Sequence, residues 1–264
     1  MGRFFTRLLT RRANWSIPYA IFMLVMVVLP LVLIAVYALT DSTGHFTFQN
    51  FVKFVGEKES LNTFVYSIGI AIITTIFCVV LGYPAAYILS NRNLNRSKVT
   101  IVLFILPMWI NVLIRTLATV SLFDFLRLPL GQGALIFGMV YNFLPFMIYP
   151  IYNVLQKMDY SLVEAAQDLG ATSSQVFRKV TVPMSMPGVM SGVLMVFMPT
   201  MSTFAIAELL TSNNVKLFGT IIQENINNTM WNYGAALSLI MLIIIGLTSV
   251  FSGTDGESAE GGLI

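Results

Sequence analysis

Residues 64–89 read FVYSIGIAIITTIFCVVLGYPAAYIL, a run of 26 positions without one Asp, Glu, Lys or Arg. As a helix this run would extend about 39 Å at 1.5 Å per residue. The hydrocarbon core of a bilayer is about 30 Å thick. The run therefore predicts a helix that crosses a membrane. Five further segments on either side are long and apolar enough to do the same: 17–39, 99–122, 134–155, 186–211 and 233–252. No alternating ten-residue pattern recurs, which argues against a spanning β-barrel. The expected fold is an all-α integral membrane protein with about six transmembrane helices.

Composition agrees. Hydrophobic residues make up 56% of the 264 positions and charged residues 10%, against roughly 25% charged in a soluble domain. Mean hydropathy is +0.80. The net charge of +3 does not point to nucleic acid, because the basic residues sit in short loops between apolar runs. Arg3, Arg7, Arg11 and Arg12 precede the first run as they would in a signal peptide. The apolar stretch Ile17 to Leu39 is too long for one and no small-residue cleavage pattern follows, so a retained first helix is expected.

The loops carry the orientation signal. Four arginines precede the first span. Arg92, Arg96 and Lys98 lie in loop 90–98, and Lys157, Arg178 and Lys179 in loop 156–185. The opposite loops hold only Lys53, Lys58, Arg127 and Lys216. With an even helix count, both termini are expected in the cytoplasm. Residues 1–252 form one transmembrane domain in this reading. Residues 253–264, with Asp255, Glu257 and Glu260, read as a short disordered cytoplasmic tail.

Cys78 is the single cysteine and His45 the single histidine. Neither an internal disulfide nor a metal site is expected, and a membrane enzyme built on a histidine cluster has no residues to use. An ion-coupled secondary transporter predicts inverted repeats and buried carboxylates near the midplane. Neither is legible.

Loop 156–185 has its own pattern. Asp159 or Ser161 can cap a helix, and Glu164 gives Ser161 a capping-box partner three residues on. Leu162, Ala165, Ala166 and Leu169 then share an apolar face at helical spacing. Gly170 ends that helix. A second short helix begins at Thr172 or Ser173, presents Val176, Phe177 and Val180, and stops at Pro183. Physics alone leaves two readings: a hairpin lying on the bilayer or a docking surface for a partner.

The spacing Glu164-Ala165-Ala166, three residues, Gly170, nine residues, Val180, one residue, Val182-Pro183 resembles the EAA loop of ABC importer permeases. That family pattern is E-A-A, x3, G, x9, I, x, L-P, so Val180 and Val182 are conservative departures. Three more stretches are similar to polyamine permeases: Leu106 to Thr116 (LPMWINVLIRT), Gly138 to Met147 (GMVYNFLPFM) and Trp231 to Ala236 (WNYGAA). The resemblance covers nearly the whole chain, though Leu117 to Leu135 is shorter than the family's usual external segment.

The resemblance implies a type I ABC importer permease fold for a spermidine/putrescine system. The implied partners are a cytoplasmic ABC ATPase dimer, a second permease chain, an external polyamine-binding protein and the lipid bilayer of a bacterial cell. Glu164, Ala165, Ala166, Gly170, Val180 and Pro183 would couple the chain to the ATPase. No glycine precedes a Lys-Ser or Lys-Thr pair, so no P-loop is present. ATP and Mg2+ would belong to the partner, with no cofactor in this chain.

Two ionisable residues fall inside expected spans, Arg115 and Glu208. Each costs on the order of 2.5–3.5 kcal/mol at a span centre unless it faces protein or water. Glu208 suits an amine cargo through charge-assisted hydrogen bonds, or serves as an interfacial carboxylate. Asp124 offers a second carboxylate just past the third span, or a solvated loop charge. Trp109 presents a π face to an ammonium or packs on a neighbour. Asn111 offers an acceptor, and Tyr141 with Asn142 are similar, weaker candidates. Arg115 would repel a cationic cargo, which favours a structural or gating role with a carboxylate or carbonyls as partner. Gly188 and Gly192, four apart, allow close helix approach, and Gly69, Gly82 and Pro84 give the second helix similar freedom.

Overall fold

The computed structural model describes residues 17–91 and 98–260. The arginines at 3, 7, 11, 12, 92 and 96 lie outside that set. The helices are α1 (Ile17–Met23), α2 (Leu29–Ala38), α3 (Gln49–Gly56), α4 (Lys58–Ser90), α5 (Lys98–Ile105), α6 (Val112–Phe125) and α7 (Gln132–Lys157). They continue as α8 (Ser161–Asp168), α9 (Ser173–Val176), α10 (Val182–Ser202), α11 (Ala205–Thr211), α12 (Phe218–Asn227) and α13 (Trp231–Glu260). Two π turns, Leu24–Val28 and Phe177–Thr181, join α1 to α2 and α9 to α10, and a 3-10 turn covers Leu106–Trp109. Among the described residues five helices are long and apolar enough to cross a membrane, six if the bent pair α5–α6 counts as one span.

The described residues form two compact units, one within 58–223 with 243–260 and the other within 17–57 with 224–242. In the first, α7 is the central helix, packed by α4 and α10. Met147, Ile148 and Ile151 on α7 are closed off from the surface, as are Cys78 and Ala86 on α4 and Val196 on α10. Lipid supplies no hydrophobic drive between helices, so close approach through small residues matters more. Gly82, Gly188 and Gly192 provide it. A Cβ on Gly188 would stand 2.9 Å from the Pro150 carbonyl oxygen, and one on Gly192 would meet Met147. Gly69 faces open space and has no such role. Pro84, Pro145, Pro150, Pro187 and Pro199 all lie within continuous helix, which buried spans tolerate.

In the second unit, side-chain amides tie the end of α2 to α3 and to the start of α13. Asn50 Nδ2 donates to the carbonyls of Ala38 (3.0 Å) and Thr40 (3.1 Å). Asn232 Nδ2 donates to the carbonyls of Tyr37 (3.1 Å) and Thr40 (2.8 Å). These carbonyls lie in or just beyond the last turn of α2, where intrahelical donors run out. The Tyr233 hydroxyl donates to Glu57 at 2.7 Å, and Lys53 Nζ lies 4.2 Å from the Tyr233 ring centroid. The WNYGAA stretch is thus explained in part as a clamp.

Four sequence expectations are corrected. The third span, expected as one helix over 99–122, is broken and bends by 96°. Pro107 has no N–H to continue a helical ladder, Ile110 is extended, and the Asn111 side chain accepts from Leu113 N at 2.8 Å, starting a fresh helix. The fifth span, expected over 186–211, begins earlier and its helix ends at Ser202, with Thr203 extended and α11 separate. The Ser202 hydroxyl bonds back to the Met198 and Pro199 carbonyls, which competes with the ladder. Pro183 does not stop the second loop helix. It sits in the first turn of α10, where a missing N–H is tolerated, and the π turn Phe177–Thr181 carries the chain into it. Helical backbone also continues over 253–260, where composition predicts an unstructured tail. Extending an existing helix avoids the nucleation cost.

Candidate functional site

The loop between α7 and α10 folds into the two short helices that its sequence predicts, with different capping. Ser161 is not the cap of α8. Its backbone N–H donates to Asp159 Oδ1 at 3.0 Å, and Tyr160 occupies the N-cap position without a side-chain bond. The capping box forms instead at Thr172 and Gln175, with Thr172 N donating to Gln175 Oε1 at 2.9 Å. Between the helices Gly170 takes φ +83°, a left-handed conformation that costs glycine little.

Hydrogen bonds from Ser161 hold the Asp159 carboxyl below the usual carboxylate range. Because the folded value is depressed, its stabilisation is present above the ordinary carboxylate pKa. It is lost only as pH falls through the lowered value. The group is charged at neutral pH.

The loop has an anchored side and an open side. Val163 and Val176 are buried. Phe177 makes edge contacts with Tyr83 (5.9 Å) and Tyr87 (5.2 Å) on α4, arrangements that aromatic rings favour. Tyr83 in turn shares a 2.8 Å hydrogen bond with Ser185 on α10. The other side of α8 is uncovered: Leu162 is 44% exposed and Leu169 90%. Glu164 and Ala165 are exposed, Ala166 is half-buried, Val180 is half-buried and Pro183 is exposed.

The other candidates do not converge on one another. Among the described residues no side-chain hydrogen bond or ion pair joins Glu208, Trp109, Tyr141 or Asp124. Glu208 lies half-buried in the first turn of α11, while its helix neighbours Ile206 and Leu210 are fully buried beside Gly138. Trp109 is 84% exposed at the break before α6, Asp124 is exposed near the end of that helix, and Tyr141 is exposed on α7. Asn111 serves as the α6 cap.

Arg115 is buried, and its partner is a carbonyl. Nη1 donates to the Asn142 backbone oxygen at 3.3 Å. Asn142 Nδ2 reaches Gly138 O (2.8 Å) and Thr116 Oγ1 (3.4 Å). Arg115 Nε and Asn142 Oδ1 have no partner. The sequence undervalued Asn142, because a lone amide in an apolar run says nothing of its neighbours until α6 is laid against α7. No group of three or more His, Cys, Asp or Glu able to hold a metal occurs among the described residues.

Comparison with known proteins gives the same architecture. The PotB permease protein of a spermidine/putrescine transport system from Escherichia coli K12 is 34% identical over 220 residues, 76% of this chain and 80% of that protein. A PotB homolog from Mycoplasma genitalium is 29% identical over 232 residues, 83% of this chain and 81% of its own. A bacterial alginate ABC transporter, solved with a pentasaccharide-bound periplasmic protein, superposes with a TM-score of 0.72 at 14% identity. That match covers 90% of this chain and 91% of the other. The methionine transporter MetNI, solved facing inward, gives a TM-score of 0.60 at 16% identity over 75% of this chain and 94% of the other. The model of binding-protein-dependent transport system inner membrane components matches residues 78–254. The chain belongs to that family of multi-pass membrane subunits, whose ATPase is a separate protein.

Proposed function

We propose that this chain forms one half of the translocation pathway of an ATP-driven polyamine importer, with both termini in the cytoplasm. The open apolar face of α8 carries the reading. An eight-residue helix held at its back by Val163, with Phe177 of the same loop set edge-on against Tyr87 of α4, leaves Leu162, Ala165 and the C-cap Leu169 uncovered. A solvated loop gains nothing from such a face, whereas an ATPase cleft would bury it. Glu164, Ala165, Ala166 and Gly170 are the coupling contacts, and Val180 and Pro183 lead the motion into α10. An ATPase dimer holding ATP and Mg2+ closes on this helix. Its movement, transmitted through the α4–α7–α10 core, opens the pathway to an external binding protein and later to the cytoplasm.

Polyamine as cargo rests on the named relatives and on Glu208, whose carboxylate suits an ammonium. Trp109, Tyr141, Asn111 and Asp124 are weaker pathway candidates, with a second permease chain supplying the rest. The test is uptake of radiolabelled spermidine and putrescine by proteoliposomes containing this chain, the ATPase, the second permease and the binding protein. ATP-dependent accumulation is expected. ATPase stimulation by a binding protein loaded with another solute would keep the importer and discard the polyamine.

In that assay Glu208→Gln should cut uptake by about 10- to 100-fold without loss of assembly, since a charge-assisted hydrogen bond contributes about 1.5–3 kcal/mol. Wild-type uptake would remove Glu208 from the pathway. Arg115 acts as a gate at the bent third span. Buried without a carboxylate, it is a net cost to the folded subunit, so Arg115→Met should leave the melting temperature equal or higher. Uptake should fall about tenfold. Unchanged uptake would make Arg115 a bystander.

A further inference from the structure

We propose that a cavity behind the coupling helix is a second, cytoplasmic-side binding site for an aliphatic amine. The choice of ligand rests on the polyamine reading; the site rests on its own geometry. The cavity has a volume of about 680 Å3, within the range of about 300–1,000 Å3 usual for small-molecule sites. Asp159, Tyr160 and Gln167 line it from the α8 side, Tyr87 from α4, and Ser173 and Phe177 from the second loop helix and its π turn.

Three observations select a cation. Among the described residues that line the cavity Asp159 is the single charged one, and its carboxylate accepts from Ser161 N at 3.0 Å. Lys157, Arg178 and Lys179 are neighbours in sequence but do not line it. Three aromatic rings share the walls, and an ammonium over such rings beside a carboxylate gains from both. Gln167 and Ser173 add acceptors for a second amine along the chain.

The site also differs from the docking surface. On a helix with 3.6 residues per turn, Tyr160, Val163 and Gln167 fall on one side, and Leu162, Ala165 and Leu169 on the opposite one. An amine in the cavity can therefore bind while the ATPase holds the outer face. It would join α8 to the end of α4 and change how freely the coupling helix moves.

The test is equilibrium binding of tritiated spermidine to the assembled permease–ATPase complex in lipid nanodiscs, without the binding protein. Saturable binding is expected. Asp159→Asn should weaken it tenfold or more, and an Asn side chain can still accept from Ser161 N, so the helix start is kept. Tyr160→Leu should weaken it several-fold, and Tyr160→Phe should restore it. No saturable binding, or wild-type affinity in both Asp159→Asn and Tyr160→Leu, overturns the site. So does binding lost in Glu208→Gln and kept in Asp159→Asn, which places the amine in the pathway instead. Uptake with no binding here leaves the importer standing and removes this site. Binding without uptake leaves the site and removes the cargo reading.

Discussion

Leu169→Asp is expected to weaken association of the ATPase with this chain by roughly 30- to 1000-fold and to abolish ATP-driven uptake. Leu169 is 90% exposed in the isolated chain. Burying a leucine in a partner's cleft contributes about 1.5–3 kcal/mol. An aspartate loses that contribution and adds the cost of desolvating a carboxylate. Every 1.4 kcal/mol is a tenfold change in affinity. The chain itself should change little: Leu169 caps the C-terminus of α8 through its backbone N–H, which the substitution keeps, and a carboxylate at a helix C-terminus costs about 0.3–1 kcal/mol. Leu169→Met, which keeps an apolar side chain, should remain close to wild type. Co-purification of the ATPase with each variant, followed by uptake, reads the result. An intact complex with Leu169→Asp would mean that α8 does not dock, and the coupling role of Glu164 to Gly170 would fall with it.

Gly188→Leu is expected to prevent the α4–α7–α10 core from assembling. Even a methyl group at this position would stand 2.9 Å from the Pro150 oxygen, 3.0 Å from Val154 Cγ2 and 3.1 Å from Ile151 Cα. Two of these three are backbone atoms of α7 and cannot rotate away. Helix α10 would have to move off α7. Overpacking of this kind costs about 1–3 kcal/mol for small additions, and leucine adds four carbons. Little folded protein should be recovered, and Gly188→Ala should show a lowered melting temperature. Gly69→Ala is the internal control. Its Cβ would meet no atom within 4 Å, and alanine favours helix over glycine by about 1 kcal/mol. A normal melting temperature for Gly188→Ala would show that α10 does not approach α7 this closely.

The apolar runs were legible because a span must satisfy every backbone group internally, which leaves a helix as the local solution. That constraint is written in sequence length and hydropathy, so 17–39, 64–89 and 134–155 appear close to their observed bounds. The loop helices were legible for a related reason: Gly170 and Thr172 act through bonds to residues three or four positions away. Where two local rules competed, tertiary structure chose. Ser161 with Glu164 and Thr172 with Gln175 both qualify as capping boxes, and only the second forms. Pro183 reads as a stop, and in the structure it is a first-turn residue of α10.

The candidate site divides in the same way. Sequence marked Arg115 and Glu208 because a charge within an apolar run is costly unless it faces protein, water or the interface. It could not say that Arg115 would rest on the Asn142 carbonyl, because that contact spans 27 residues and depends on the 96° bend before α6. Sequence by itself determined the membrane fold, the presence of the apolar helices and the two short helices of loop 156–185, since those follow from hydropathy and short-range hydrogen bonding. Only the tertiary structure decided the breaks at Asn111 and Ser202, the partner of Arg115, and the two faces of α8. Each of these is set by which helix lies against which, a property that no local stretch of the chain contains.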